Sequence, residues 1–165
     1  MSELASESVS QHLREAPTER QRGSAVREAS RRLINPPTIH PAHGYSHISL
    51  STHPRTAYVA GQVALDRDFG LVGGADLGEQ TRAAMRNIGA ALREIGAGWD
   101  DVLRRTVYTL RPHDHEIIAA AIQDIQGSDR HPAQTIVGVT GLAVEGLLIE
   151  IEVVVGLADP APSGH

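Results

Sequence analysis

Cysteine and lysine are both absent from this chain of 165 residues, because all 15 of its basic residues are arginines. The lack of cysteine excludes thiol nucleophiles, disulfides and cysteine-ligated zinc. The lack of lysine excludes Schiff-base chemistry and the lysine of a phosphate-binding loop. The sequence also has neither the serine elbow of the hydrolases nor a glycine-rich phosphate loop. Several common enzyme classes are therefore ruled out at the start.

Positive charge and aromatic side chains are scarce as well. The net charge is −5, and the chain has only one Phe, one Trp and three Tyr. A protein that follows a nucleic acid needs basic side chains for the phosphates and aromatic faces for the bases. We therefore rank nucleic acid last among the partners. No apolar run is long enough for a membrane span or a signal segment, so we expect a cytoplasmic protein without a membrane partner.

The most informative stretch runs from Pro132 to Val155 and predicts two apolar strands around a glycine-containing turn region. In the second strand a row of isoleucines and valines alternates with Glu150, Glu152 and Val154. A slip of one residue would bury two carboxylates, so the register of this strand is strongly specified. We expect the carboxylates on the face opposite the core, where they are either ordinary solvated residues or part of a site.

The remaining pattern predicts the order β-β-α-β-α-β-β, an α+β fold with two helices on one face of a sheet. The other face is half apolar, which predicts burial against further copies of the chain. We expect a disordered or partly helical tail over residues 1–32, one domain over 33–158 and a short tail over 159–165. The predicted segments are a strand hairpin at 45–51 and 56–65, helices at 76–95 and from Asp114, and strands at 102–111 and within 132–155.

Several short motifs occur together in a fixed order. They include NPP and GYSH, AGQVALD (60–66), QTRAAMRNIGAAL (80–92), TVYT (106–109), HPAQT (131–135) and IEIE (149–152). On these motifs, residues 35–157 resemble the RidA/YjgF family, which also carries the labels endoribonuclease L-PSP and translation initiation inhibitor. The resemblance implies a chorismate-mutase-like fold and a homotrimer with a central barrel. It also implies small-molecule clefts between neighbouring subunits.

Active members of that family hydrolyse reactive enamines and imines to a keto acid and ammonia, without a bound cofactor. The resemblance implies that an arginine following Pro-Ala grips the substrate carboxylate, a task that suits a planar and permanently charged fork. In this chain the matching residue is Gln134, a neutral amide. The sequence therefore resembles a divergent member of the family, one that lacks the catalytic arginine.

Other matched positions complete the predicted site. The family's cleft serine is replaced by Ala60, which precedes Gly61, and its cleft cysteine is replaced by Ile136. Glu150 matches the glutamate that positions or activates water, and Tyr45 matches the tyrosine at the cleft mouth. We therefore predict Glu150 as the catalytic residue. The predicted substrate-binding residues are Tyr45, Gln134, Ala60, Gly61 and Ile136. The asparagine that deaminating members carry on the second helix falls near Ala119.

Histidines suggest one alternative, a metal site at His113 and His115. Two histidines separated by one residue at a helix start more often form a solvated cap, and a third ligand is missing from the pattern. His47 takes a position near the cleft rather than in a metal site. We predict neither a metal nor a cofactor.

Three functions follow from these observations. The first is a RidA-like homotrimer that binds a small organic molecule at its intersubunit clefts without efficient deamination of amino-acid-type imines. The second is a cofactor-free enzyme, a deaminase or hydrolase for a less acidic imine, enamine or carbonyl compound, with Glu150 as general acid or base. The third is a non-catalytic regulatory or RNA-related module.

Overall fold

The computed structural model describes residues 30–159. Two helices lie on one face of a mixed four-stranded sheet whose strand order is β3-β6-β4-β5, and a separate two-stranded ladder joins β1 to β2. This arrangement confirms the predicted α+β fold. The elements are β1 (Arg31–Ile34), β2 (Ile48–Ser51), β3 (Arg55–Val63), α1 (Leu77–Glu94), β4 (Val102–Thr109), α2 (His115–Gln126), β5 (Ala133–Gly138) and β6 (Ile149–Leu157).

Strand β1 is absent from the sequence prediction. It begins at Arg31, inside the stretch assigned to the N-terminal tail, and it pairs antiparallel with β2 so that Ile34 lies opposite Ile48. The predicted hairpin between the second and third strands is therefore wrong, because β2 pairs with β1 while β3 pairs with β6. Strand propensity indicates that a segment is extended and half-buried, but it does not identify the strand with which the segment pairs. The rest of the predicted tails, residues 1–29 and 160–165, lies outside the described residues.

Both helices form where local signals place them. The side chain of Asp76 accepts a hydrogen bond from the backbone N–H of Glu79 at 3.0 Å and caps α1. Gly127 caps the C-terminus of α2, and its φ of 67° is a left-handed conformation that glycine adopts without a Cβ penalty. The apolar stripes of the helices pack on the inward row of β6 and on Val107 of β4. The buried side chains include Ala84, Met85, Ile88, Leu92, Ile118, Ile122, Ile149, Ile151, Val153 and Val155.

Strand β6 lies between β3 and β4 and separates two environments. Its isoleucine and valine row is buried beneath the helices, as the alternation predicts, and the carboxylates point the other way. Residues opposite each other in a ladder share a face, so Tyr108 lies beside Glu150 and Thr106 beside Glu152. We call the sheet face opposite the helices the outer face. Its residues include Tyr58, Arg104, Thr106, Tyr108, Glu150, Glu152 and Val154.

Within residues 30–159, no helix combines the length and the apolar character that crossing a membrane requires.

Candidate functional site

A cavity of about 320 Å³ opens beside β5, and it collects three of the predicted residues: Tyr45, Gln134 and Ile136. Backbone contacts hold Tyr45 there. The N–H of Ser46 donates to the Pro132 carbonyl at 2.9 Å, which ties the segment to the start of β5. Ala119 of α2 also lines the cavity, as the position of the missing asparagine predicts, together with His43, Pro112 and His115. We call this the Gln134 cavity.

Behind Gln134 lies a buried arginine that the sequence analysis does not single out. Arg105 is the ladder partner of Gln134 across β4 and β5. Its Nε donates to Oε1 of Gln134, and its Nη1 donates to Oε1 of Gln126 at 3.1 Å. Both acceptors are neutral amides, and no acidic side chain within residues 30–159 bonds or pairs with this guanidinium. Within the described residues, the positive charge is therefore buried without a counter-ion.

Burial controls the charge states around Arg105. Desolvation lowers its pKa to about 9, with the nearby charge of Arg31 acting in the same direction, so the guanidinium stays charged at neutral pH. Desolvation also lowers the pKa of Arg31 to about 10. The pKa of His131 is lowered first by burial and then by the charge of Arg105, which keeps this imidazole neutral at pH 7. The three side chains form a basic cluster under the start of β5.

The catalytic candidate Glu150 lies elsewhere, against Gly61 of β3. The ladder between β3 and β6 is irregular between Val59 and Gln62, so that Ala60 and Gly61 occupy a bulge. A Cβ at Gly61 would lie 1.8 Å from Oε1 of Glu150, so any larger residue would force the carboxylate out of its present position. Ala60 itself is exposed at this bulge.

Glu150 also lines a second cavity of about 420 Å³ on the outer face, with Tyr108 and Glu152 among its walls. The hydroxyl of Tyr108 donates to Oε1 of Glu152 at 3.1 Å, and this bond raises the pKa of Tyr108. Within the described part of the chain, Glu150 has neither a hydrogen-bond donor nor a cation. The second cavity, which we call the Glu150 cavity, is therefore lined by a carboxylate that the described residues leave without a partner.

The two cavities lie on opposite sides of the sheet. Gln134 shares a face with Arg105, whereas Glu150 shares a face with Tyr108. Arg105 and Tyr108 are three positions apart on β4, and an odd separation along a strand places side chains on opposite faces. One chain therefore brings Tyr45, Gln134 and Ile136 together and, separately, Ala60, Gly61 and Glu150.

The histidines do not gather into a metal site in the described chain. Among residues 30–159, no three His, Asp or Glu side chains come close enough together to hold an ion. His115 lines the Gln134 cavity instead. His47 packs its ring against that of Tyr45, with centroids 5.2 Å apart, and its Nε2 lies 2.8 Å from the His40 carbonyl.

Sequence reasoning misses three residues that line the two cavities or lie directly behind them. Arg105 is signalled only by its position, since it shares the inward phase of β4 with the buried Val107. Tyr108 alternates with Val107 along β4, so the sequence places it on the other face of the sheet, beside the carboxylates of β6. His43 comes from an irregular loop, where no periodicity predicts a direction.

The geometry defines the class of the protein: an α+β domain with two helices on a mixed sheet and a cavity on each face of that sheet. The family model described as endoribonuclease L-PSP matches residues 36–157. The chain belongs to this family, the RidA/YjgF family, as the motifs predict.

Solved structures and curated sequences agree with this assignment. The conserved Rid family protein YyfB of Yersinia pestis, described as of unknown function, is 38% identical over 78% of this chain and 99% of its own, with a TM-score of 0.74. Rv2704 of Mycobacterium tuberculosis, from the YjgF/YER057c/UK114 family, is 32% identical over 69% of this chain and 87% of its own, with a TM-score of 0.53. A RutC family protein of Pyrococcus abyssi is 34% identical over 59% of this chain and 75% of its own length.

Proposed function

We propose that the protein is a RidA-like homotrimer that binds a small organic molecule in clefts between neighbouring subunits, and that it does not efficiently deaminate amino-acid-type imines. One observation carries the proposal: Gln134 and Glu150 lie on opposite faces of the sheet in one chain. A single copy cannot place both against one ligand. A ring of copies can, if the Gln134 cavity of one subunit meets the Glu150 cavity of the next.

The surface of the outer face supports association of this kind. Tyr58 is 81% exposed there, and Val154 beside it is only half-buried in the single chain. Apolar side chains on an otherwise complete sheet lose contact with water when copies associate.

The lack of efficient deamination follows from the groups that the Gln134 cavity offers. A neutral amide contributes about 1 kcal/mol per hydrogen bond, against roughly 1.5–3 kcal/mol for a charge-assisted bond. Loss of the bidentate grip thus weakens binding of a substrate carboxylate by about tenfold to a hundredfold. Ile136 and Ala119 add no polar group that compensates.

The oligomeric state tests the shared cleft. We expect the wild-type protein to be a trimer in native mass spectrometry at micromolar concentration. Tyr58→Glu adds a charge to the outer face and should shift the population towards monomers, because an uncompensated carboxylate at an interface has to be desolvated. Ile117→Glu is the matched control: Ile117 is 49% exposed on α2, away from the outer face, and its replacement should leave the trimer intact. A monomeric wild-type protein contradicts the shared cleft.

A second function is favoured by the carboxylate of Glu150, which has no partner among the residues that the structure describes. A cofactor-free enzyme that acts on an uncharged imine, enamine or carbonyl compound needs no arginine, and Glu150 would serve as its general acid or base. Under this alternative, Glu150→Gln abolishes turnover of an uncharged imine while Gln134→Met leaves the rate within a few-fold of the wild type.

A further inference from the structure

The contact between Arg105 and Gln134 settles which way the side-chain amide of Gln134 points. A guanidinium has five N–H donors and no acceptor, so only the oxygen of an amide can face it. Oε1 of Gln134 accepts from Nε of Arg105. The other end of the amide, Nε2, is therefore turned away from Arg105, and no acceptor within residues 30–159 bonds to it.

The guanidinium is itself held from behind. Gln126 accepts from Nη1 of Arg105 at 3.1 Å, and its own Nε2 donates to the carbonyls of Ser128 and Arg130 at 3.2 Å each. Arg105 is only 2% exposed, and its Nη2 has no described partner. A side chain packed and bonded in this way cannot rotate to release Gln134 without burying further unpaired groups.

We propose that Arg105 is a positioning residue for the Gln134 cavity: it fixes the amide of Gln134 with Nε2 towards the ligand, so that the site selects a hydrogen-bond acceptor over a donor at this point. The ligand class is a small molecule that presents a carbonyl or carboxylate oxygen. The unpaired charge of Arg105 strengthens the selection, since a buried cation polarises the amide between it and the ligand. The inference rests on the proposed function, in which this cavity binds a ligand.

A ligand-free experiment tests the contact by itself. Gln134→Glu supplies the missing counter-ion, so it should raise the melting temperature in the wild-type background. In an Arg105→Met background the same substitution leaves a carboxylate beside apolar side chains and should lower the melting temperature. Equal shifts in the two backgrounds would show that Arg105 does not control position 134, and they would overturn the proposal.

Two isosteric probes test the selection. Propionate offers only acceptors, and propionamidinium, of the same shape, offers only donors. In NMR titrations we expect the wild-type protein to bind propionate at least tenfold more tightly than propionamidinium. Arg105→Met should bring this ratio close to one, because the amide is then free to flip and the buried cation that favours the anionic probe is gone. Arg105→Lys should retain most of the ratio through its charge and its donors.

Gln126→Met is the matched structural control. It disturbs the same buried network from the side away from the cavity, and it should preserve the probe ratio even where it lowers stability. If Arg105→Met and Gln126→Met change the ratio equally, Arg105 has only a structural role and the proposal fails while the proposed function stands. If the wild-type protein binds neither probe, the ligand cleft fails and the selection fails with it, whatever the melting temperatures show.

Discussion

The double variant Arg105→Gln/Gln134→Arg should release ammonia from 2-aminoacrylate-type imines at least tenfold faster than the wild-type protein. The exchange moves the guanidinium from behind the cleft into it and leaves the net charge unchanged. A fork at position 134 grips the substrate carboxylate bidentately, which a neutral amide cannot do. The rate should stay below that of active relatives, because Ala60 and Ile136 keep the cleft less polar. Ammonia release from imines generated in place measures the gain.

The single variant Gln134→Arg should gain less and fold less stably. It places a second guanidinium beside the buried Arg105. Two unit charges about 5 Å apart repel by roughly 3 kcal/mol at an effective dielectric constant of about 20. For a domain of this size that corresponds to a fall of about 10 °C in the melting temperature.

Glu150→Ala in the double variant is the control, and it should abolish the gain if the carboxylate activates water. A single variant that is as stable as the wild type and as active as the exchange would show that Arg105 does not influence the cleft.

Replacement of Arg31 by alanine should destabilise the fold by about 3–5 kcal/mol, in the range found for removing one partner from a buried charged contact. Arg31 is 3% exposed and donates to the carbonyls of Trp99 at 2.8 Å, of Arg130 at 2.5 Å and of Val102. Each bond from a charged donor contributes roughly 1.5–3 kcal/mol. Loss of Arg31 also removes a like charge near Arg105, but three unpaired carbonyls outweigh that relief. A fall of about 10–20 °C in the melting temperature follows.

Arg32, the next residue along β1, is the matched control. It is exposed on the same strand, so Arg32→Ala should change the melting temperature by no more than about 2 °C. Deletion of residues 1–32 removes Arg31 as well and should therefore destabilise the domain. If the Arg31→Ala variant has the same melting temperature as the Arg32→Ala variant, the side chain of Arg31 does not anchor strand β1.

Local signals made parts of this fold predictable. The acceptor at Asp76 and the apolar residues at three- and four-residue spacing lie within one helix, so the sequence alone places α1. The alternation of β6 places Glu150 on the outer face in the same way. Family motifs add Tyr45 and Gln134 to the site, and the structure brings these two side chains to one cavity.

The pairing of strands that are distant in sequence could not be predicted. The residues of β2 (Ile48–Ser51) carry no local signal that favours pairing with β1 over pairing with β3, because tertiary packing determines the partner strand. The parallel pairing of β4 with β5 places Arg105 behind Gln134, and these residues are 29 positions apart in sequence. Arginine is also rarely buried. The charge of Arg105 therefore argues against an inward position, although its place in the alternation of β4 indicates one.

Ammonia release by the unmodified protein tests the central claim most directly. The substrate is a 2-aminoacrylate-type imine generated in place, and the comparison is with buffer and with an active family member. With Gln134 in place of the arginine, and with the negative charge of Glu150 repelling the substrate carboxylate, the account predicts a rate little above that of buffer. A rate equal to that of the active relative would contradict it and would show that another group, with Arg105 the first to examine, holds the carboxylate.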